Sequence, residues 1–299
     1  MPLFDDYLIV DWSANASPKT GADSIWYCLA SRDRLGRFRI STKRNPATRR
    51  QAHNELRALL KKRLYLGRRV LIGYDFPNAY PAGFARAAGF HSSTQKPWGA
   101  TWQALSDLIE DSENNRNNRF DVANNLNKRL AGKPFWGHPH KHSYSHLAPT
   151  KPAFDNRALA ERRLCEQWVP KAQTVWKLYT TGSVGSQTLM GIPYQAALLR
   201  DPDLNDHIQV WPFQSGLKAP GDPGIVLAEV YPSLFPFPND PTRVKDELQV
   251  EATSRALAKR DRDGFLARDF AGPEALTSEE RKRIVEEEGW ILGVGTISA

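Results

Sequence analysis

The fold is decided by an apolar stretch that ends in an acid, YLIVD at residues 7–11. A second stretch of this kind, VLIGYDFP, occupies residues 70–77, and a third, IVLAEVYP, occupies residues 225–232. Short apolar runs bounded by polar turn residues are typical of strands buried in a sheet. A carboxylate at the end of a buried strand is costly unless it is paired or binds a metal. The acids that end or interrupt these three runs are Asp11, Asp75 and Glu229.

Composition limits the class of protein. The chain has 299 residues, of which 40% are hydrophobic and nine are Trp, so it can bury a sizeable core and global disorder is excluded. The net charge of +8 suits a polyanionic partner, although many ordinary proteins are equally basic. Cys28 and Cys165 lack metal-ligand spacing and are expected to be free thiols in a reducing compartment.

No segment of the sequence indicates a membrane or secretory protein. No apolar run approaches the roughly 20 residues that cross a bilayer, and the acidic start, MPLFDD, lacks the basic region of a signal peptide. We therefore expect a cytoplasmic protein that does not enter a membrane. The sequence leaves its oligomeric state open.

Periodicity predicts an α/β protein. Residues 7–13, 24–31 and 37–42 read as three strands of an antiparallel meander, and residues 49–66 form the clearest amphipathic helix. The strand at 70–75 follows that helix, and a helix between two strands usually makes them parallel. The remaining predicted elements are helices at 101–113, 119–130, 156–167 and 181–200, strands at 207–211 and 225–231, and helical segments over 242–288 with breaks at 263–264 and 272–273.

The segment from 37 to 69 is strongly basic. It contains twelve Lys or Arg residues against one acid, Glu55. These charges are either the solvated face of the helix or a patch that contacts phosphates. Glu55 borders the apolar stripe, so it is either a metal ligand or, more simply, the partner of Lys62 or a neighbouring Arg on the same helix.

The predicted strand order, with an acid at the end of the first strand and another at the end of the fourth, resembles the ribonuclease H-like superfamily and, within it, the uncharacterised DUF429 family. The resemblance implies one ribonuclease H-like domain over 1–299, with a mixed sheet of five or slightly more strands flanked by helices. Residues 91–170 match no part of the family pattern and are interpreted as a helical and loop insertion. The segments that carry the resemblance are 10–14, 73–77, 182–186, 228–233, 261–264 and 288–294.

Two segments depart from the family pattern. The chain has Glu-Val-Tyr-Pro at 229–232, where the family usually has a His before the Pro. The late Asp-x-x-Asp-Ala pattern is replaced by Asp-Arg-Asp-Gly at 261–264, so either Asp261 or Asp263 is the matching acid.

The acids together predict a two-metal site. The catalytic and metal-binding residues are predicted to be Asp11, Asp75, Glu229 and Asp263. Clustered carboxylates suit Mg²⁺ or Mn²⁺ rather than zinc, and Asp11 is the candidate to bridge both ions. Without metal, acids so close would repel each other and raise some pKa values, which predicts stabilisation by Mg²⁺. Each acid has a plainer alternative as a turn cap or a surface charge, and Asp261 or Asp269 could take the place of Asp263.

Further residues are predicted to contact the substrate. The His-rich loop from His138 to His146 could bind zinc, supply an acid-base group, or simply line the substrate groove, and the last interpretation is favoured. The Gly- and Ser-rich start of a helix at 182–186 could offer backbone N–H groups to a phosphate, but it lacks the P-loop pattern and a packing turn explains it equally well. The predicted substrate-binding residues are Ser13, Lys133, Trp136, His138, His140, Ser183 and Ser186.

These features predict a metal-dependent phosphodiesterase, a nuclease that acts on DNA or RNA. One alternative is a phosphotransferase or ATPase of the actin and sugar-kinase type. The loops after Asp11 and Asp75 are poor in the glycine that such enzymes need, which counts against it. The other alternative is a nucleic-acid-binding or scaffold protein without turnover.

Overall fold

A six-stranded mixed sheet forms the centre of the computed structural model. The strands are β1 (Asp6–Asp11), β2 (Trp26–Arg32), β3 (Phe38–Arg44), β4 (Val70–Tyr74), β5 (Ile208–Val210) and β6 (Ile225–Glu229), in the spatial order β3-β2-β1-β4-β6-β5. The first three strands form an antiparallel meander, whereas β1, β4, β6 and β5 run parallel to one another. The structure describes residues 2–90, 92–155, 158–169, 171–221 and 224–297.

Both faces of the sheet are covered, which explains why its central strands read as continuous apolar runs. Side chains alternate along a strand, so Leu8 and Val10 point to one face of β1 while Tyr7 and Ile9 point to the other. All four are fully buried, in two separate hydrophobic clusters. The predicted mixed sheet flanked by helices is therefore confirmed.

Two long helices cover opposite faces. The first, α1 (Arg49–Tyr65), begins after Thr48, whose side chain accepts the N–H of Gln51, and it buries Ala52, Leu56 and Leu60 on the sheet. The other, α7 (Lys245–Arg262), buries Leu257 in the cluster on the opposite face. The helices between these two are α2 (Phe84–Ala87), α3 (Pro97–Leu108), α4 (Arg119–Arg129), α5 (Leu164–Gln167) and α6 (Val184–Leu199).

The end of the chain is helical, with the breaks that the sequence predicts. Helices α8 (Leu266–Ala271) and α9 (Ser278–Arg283) follow α7, and a single π-helical turn, Ile284–Glu288, continues α9. Short 3₁₀ turns at Asn205–His207 and Pro232–Leu234 precede β5 and follow β6. No helix in the described part of the chain has both the length and the apolar composition to cross a membrane.

The predicted helix over 156–167 is wrong in extent. Residues 156 and 157 lie outside the described residues, and the helix α5 begins only at Leu164. Arg163 has extended backbone angles (φ −65°, ψ 162°), and its side chain is completely buried among carboxylates. The ion pairs of this side chain therefore fix an extended residue where the apolar pattern indicated a helix.

Candidate functional site

Asp11 and Asp75 meet at one edge of the sheet. Strands β1 and β4 are parallel neighbours in which Val10 pairs with Tyr74, and the N–H of Asp75 donates to the Val10 carbonyl at 3.2 Å. Asp11 follows Val10, and Asp75 follows Tyr74. The two carboxyl groups therefore lie side by side and are within hydrogen-bonding contact. Over the described residues, no Lys or Arg forms an ion pair with Asp11 or Asp75.

A third acid, Asp246, lies close to this pair. It belongs to the first turn of α7, and its negative charge acts on both Asp11 and Asp75. One of its oxygens, Oδ2, accepts the backbone N–H of Asp23 at 2.7 Å. Sequence reasoning missed Asp246 because an acid in the first turn of a helix usually only stabilises the helix end. The available signal was its position at the start of the long C-terminal helix.

The environment favours the protonated forms of these acids. Burial raises the pKa of Asp11 well above its usual range, and the negative charges of Asp75 and Asp246 raise it further. Burial also raises the pKa of Asp75 to about 7, although the Trp12 N–H, which donates at 3.0 Å, and the hydrogen bond from Asp11 partly lower it. The pair therefore retains a proton near neutral pH, as expected for two carboxyl groups in contact.

Glu229 does not join the pair, because the register of the sheet turns it away. Tyr74 pairs with Glu229, so Asp75, one residue further along β4, neighbours Val230 instead. Successive side chains alternate between the faces of a sheet, so Glu229 points away from the face of Asp75. Its carboxylate is buried and is held by the guanidinium of Arg163 at 2.6 and 2.8 Å.

Arg163 is the centre of a buried ionic network. It also donates to the Glu166 carboxylate at 2.8 Å and to the Glu288 carbonyl at 3.1 Å. The Glu288 carboxylate accepts the N–H groups of Leu164 and Ala82. These carboxylates are paired and hydrogen-bonded, which is the condition for burying charge. The role of Glu229 in the structure is thus to hold Arg163, and with it the segment before α5, against β6. It does not join Asp11 and Asp75.

Asp263 lies at the far end of α7. It caps the helix 17 residues after Asp246, which corresponds to about 25 Å along the axis. Its carboxylate accepts from Arg262 at 2.8 Å and from Lys259 at 3.0 Å, and these hydrogen bonds lower its pKa to about 2. It is therefore an ordinary paired surface acid.

Asp261 and Asp269, the two alternatives to Asp263, are also held by partners within the protein. Asp261 is buried and accepts the backbone N–H groups of Leu3 and Phe4, both at 2.9 Å, together with the Tyr7 hydroxyl. Asp269 is buried against the guanidinium of Arg260. Across the residues that the structure describes, no three His, Cys, Asp or Glu side chains form a group that could hold a metal ion. The predicted four-acid arrangement is therefore replaced by a contacting pair with one acid nearby.

The loop after Asp11 is fixed by two side chains that the sequence did not single out. Arg49 is fully buried and donates to the carbonyls of Ser13 (3.0 Å) and Asn15 (2.7 Å) while forming a bidentate pair with Asp111. Gln187, in the first turn of α6, donates to the Trp12 carbonyl at 2.5 Å. The Ser13 hydroxyl accepts the side-chain amide of Asn15 at 2.8 Å. Ser13, two residues after Asp11, therefore lies in a loop held from two sides.

The Gly- and Ser-rich start of α6 is a packing turn. The Ser186 hydroxyl is buried between the Leu178 carbonyl and the Arg119 guanidinium. The N–H of Gly185 donates to the Lys177 carbonyl at 3.0 Å, and the N–H groups of Ser186 and Gln187 both donate to the Ser183 carbonyl. The first N–H groups of this helix are thus bonded within the chain, so the geometry does not favour phosphate binding by Ser183 or Ser186.

Four predicted substrate-binding residues lie in or just before the His-rich loop: Lys133, Trp136, His138 and His140. His138 is buried against Tyr144, with Nδ1 at 2.9 Å from the Pro139 carbonyl, whereas His140 and Lys133 are exposed. Trp136 is half-buried, and its backbone bonds to Trp176 and Leu178. Among the described contacts, no hydrogen bond or ion pair joins this loop to Asp11 or Asp75.

Most of the basic segment from 37 to 69 is neutralised by acids from other elements. Its ion pairs join Arg57 and Lys61 to Asp201, Arg63 and Arg68 to Asp6, Arg69 to Asp5, and Lys43 to Glu247 and Glu251. Glu55 accepts the Tyr27 hydroxyl at 2.7 Å and the Gln51 amide at 2.9 Å, so its partners are not Lys62 or an Arg.

Comparison with family models, with curated proteins and with solved structures finds no match for this chain. The geometry of the candidate site offers adjacent acids at the edge of a parallel strand pair, a nearby third acid, and no neutralising cation on the pair among the described residues.

Proposed function

We propose that the protein is a metal-dependent phosphodiesterase that acts on nucleic acid, with Asp11, Asp75 and Asp246 as its acidic centre. The contact between Asp11 and Asp75 without a cationic partner carries this proposal. The buried Glu229 and Asp269 are each neutralised by an Arg in this protein. An acid pair that lacks such a partner is the arrangement expected where a bound cation supplies the compensating charge.

The donor set fits a hard divalent cation. Asp11 and Asp75 would hold Mg²⁺ or Mn²⁺ through carboxylate oxygens, which these ions prefer. Bound there, the ion would lower the pKa of a water molecule and offset negative charge on the leaving oxygen. Asp246 would act on the bound ion through its charge and a water molecule, because its hydrogen bond with Asp23 uses Oδ2 and leaves Oδ1 for that water. Arg49 and Gln187 would keep the neighbouring loop in place during turnover.

The topology supports the same reaction class. The mixed sheet flanked by helices, with acids at the ends of β1 and β4, is consistent with what the resemblance to the ribonuclease H-like superfamily implies. Because one fold hosts several chemistries, the acid pair and not the topology is the basis of the proposal. The start of α6, which could have bound a phosphate, does not support the phosphotransferase alternative, because its first N–H groups are bonded within the chain.

The test is cleavage of a mixed panel of DNA and RNA substrates with Mg²⁺ or Mn²⁺. We expect Asp11→Asn, Asp75→Asn and Asp246→Asn each to lower activity by at least the 10–100-fold that loss of an outer-shell partner costs a metal site. Asp263→Asn is the matched control and should remain active, because Asp263 lies at the other end of α7. Cleavage that survives Asp11→Asn would exclude this centre, and salt-sensitive binding without any turnover would support a binding protein instead.

A further inference from the structure

One buried arginine has no acid to balance its charge. Arg119, the first residue of α4, is only 9% exposed, and within the described ranges it forms no ion pair. The two other buried arginines, Arg49 and Arg163, are both paired with carboxylates. Removing a cation from water is costly unless an opposite charge lies close by. Arg119 therefore lacks the counter-charge that every comparable side chain of this protein has.

Neutral groups hold the Arg119 guanidinium and leave one of its nitrogens free. Its Nε donates to the Ser186 hydroxyl at 3.0 Å, and its Nη1 donates to the side-chain oxygen of Asn117 at 2.8 Å. The remaining nitrogen, Nη2, donates to no atom of the described residues and is not enclosed by them. An oxygen of an anion could therefore accept from Nη2 without displacing either existing hydrogen bond.

Aromatic rings surround this guanidinium. The Phe120 ring lies against it, with 4.3 Å from Cζ to the ring centroid. The Phe120 ring in turn contacts the rings of Tyr144 and Tyr179, at centroid distances of 6.3 and 6.5 Å. Phe120 and Tyr144 are half-buried, whereas Tyr179 is 39% exposed. These three rings, the aromatic patch, offer a surface on which a flat ligand can stack beside a cation.

A second cation–ring pair shows what distinguishes Arg119. The guanidinium of Arg260 lies over the Phe265 ring at 5.5 Å, and Phe265 is exposed. The carboxylate of Asp269 neutralises Arg260. An exposed ring beside an arginine is thus a motif that this protein also uses with the charge balanced. The counter-charge is missing only at Arg119 among these two described pairs.

The aromatic patch lies on the face of the sheet away from the acid pair. Phe120 and Tyr144 pack against the hydrophobic cluster that contains Leu8 and Val10. Asp11 follows Val10 in β1, so its side chain points to the opposite face. Binding at Arg119 therefore needs neither the acid pair nor a metal ion, and it does not depend on the proposed phosphodiesterase activity.

We propose that Arg119 and the aromatic patch bind a single nucleotide unit, with its phosphate at Arg119 and its base stacked on the patch. Guanidinium groups suit phosphate oxygens, and aromatic rings stack with any base. The negative charge of Asp121 acts on Tyr144, which favours the uncharged base at that end and the phosphate at Arg119. A free nucleotide and the end of a nucleic-acid strand both present this chemistry.

The test is isothermal titration calorimetry in EDTA with adenosine 5′-monophosphate, adenosine and inorganic phosphate. The monophosphate should bind more tightly than either of its parts. Arg119→Met should weaken its binding by at least about tenfold, because a hydrogen bond to a charged group is lost. Lys128→Met removes an exposed cation from the other end of α4 and is the matched control, which should leave the affinity unchanged.

The rings are tested separately from the charge. Tyr144→Leu should weaken binding of the monophosphate by about fivefold or more and leave binding of inorganic phosphate unchanged, because only the base stacks. Phe265→Leu, which removes the ring of the charge-balanced pair, is the matched control and should change neither affinity. Equal losses for the monophosphate and for inorganic phosphate in Tyr144→Leu would refute base stacking.

Stability distinguishes a ligand site from a structural cation. Without ligand, Arg119→Met should melt at or above the temperature of the original protein, because it removes a buried charge that has no counter-charge. A lower melting temperature, together with an original protein that binds no monophosphate, would overturn the site and make Arg119 a structural residue. Unchanged affinity in Arg119→Met would overturn it as well.

A trinucleotide with a 5′-phosphate identifies the source of the nucleotide unit. If the trinucleotide binds more tightly than the monophosphate and loses that affinity in Arg119→Met, the site holds the end of a strand. If the two ligands bind equally and respond equally to Arg119→Met, the site holds a free nucleotide. A trinucleotide whose affinity does not depend on its 5′-phosphate would exclude the strand end.

Discussion

At the scale of single residues, Asp75 links the site to the stability of the protein. Its folded-state pKa of about 7 is raised from an ordinary value of 3.8, so the folded state binds a proton that the unfolded state releases. Its contribution to stability is therefore full below about pH 4 and is lost as the pH rises to about 7. In EDTA, Asp75→Asn should remove this loss, which is on the order of 4 kcal/mol. The stability of the variant relative to the original protein should therefore be highest at pH 8. Denaturant unfolding at pH 5 and pH 8 measures the effect.

In the original protein, Mg²⁺ should offset the stability that is lost as the pH rises. Metal binding requires deprotonated carboxylates, so Mg²⁺ should raise the melting temperature more at pH 8 than at pH 5. Asp75→Asn should abolish that increase, whereas Asp263→Asn should retain it. An equal increase at both pH values, or in the absence of Asp75, would mean that the ion binds elsewhere.

Glu229 has a different consequence at the residue scale. Glu229→Gln removes one half of a fully buried ion pair and leaves the charge of Arg163 partly uncompensated. The free energy of unfolding should fall by about 3–5 kcal/mol, measured by urea denaturation. Mg²⁺ should still stabilise this variant, because the acid pair is intact. If the variant has normal stability but is no longer stabilised by Mg²⁺, Glu229 is a ligand of the metal site.

At the scale of elements, the start of α6 depends on one glycine. A Cβ at position 185 would lie far inside van der Waals contact with the Val175 carbonyl and only 2.8 Å from that of Lys177. Gly185→Ala should therefore displace the first turn of α6 and cost about 3 kcal/mol. The same turn carries Gln187, so the proposed phosphodiesterase activity should fall as well.

Gly99→Ala in α3 is the matched control for this prediction. A Cβ there would meet no atom within 4 Å, and the position is helical, so this substitution should raise stability by about 0.5–1 kcal/mol. Thermal unfolding of both variants measures the contrast. A Gly185→Ala protein as stable as the original would show that the turn tolerates a side chain.

At the scale of the whole molecule, the parts that could be predicted are those with a local pattern. Apolar runs and helical periodicity predict the sheet and its two covering helices, and the parallel pairing of β1 and β4 accounts for the meeting of Asp11 and Asp75. The orientation of Glu229 depends on the register between β4 and β6, which no local pattern records. Its partner, Arg163, lies 66 residues away in the sequence, inside the segment without a recognisable pattern.

The acid contributed by α7 could not be predicted for a related reason. The helix extends about 27 Å from Lys245 to Arg262, so only one of its ends can reach the edge of the sheet that carries Asp11. The sequence places acids at both ends and does not say which end is near. That choice depends on the direction in which α7 crosses the sheet, which is a property of the tertiary fold.

One buried side chain, Arg49, joins the 91–170 segment to the sheet. Arg49, at the start of α1, uses its guanidinium to bind Asp111 of the insertion and the carbonyls of Ser13, Asn15 and Asn115. Lys cannot reproduce this planar set of donors. Arg49→Lys should therefore cost about 3 kcal/mol and make the 91–170 segment more sensitive to limited proteolysis.

Arg50→Lys, an exposed neighbour on the same turn of α1, is the matched control and should unfold like the original protein. The original protein should unfold in a single transition by calorimetry, because buried ion pairs couple the insertion to the sheet through both Arg49 and Arg163. If Arg49→Lys splits that transition into two while leaving Mg²⁺ stabilisation intact, the insertion is a separate folding unit. An unsplit transition at lower temperature, with proteolysis confined to the insertion, is the result that a single domain clamped by Arg49 requires.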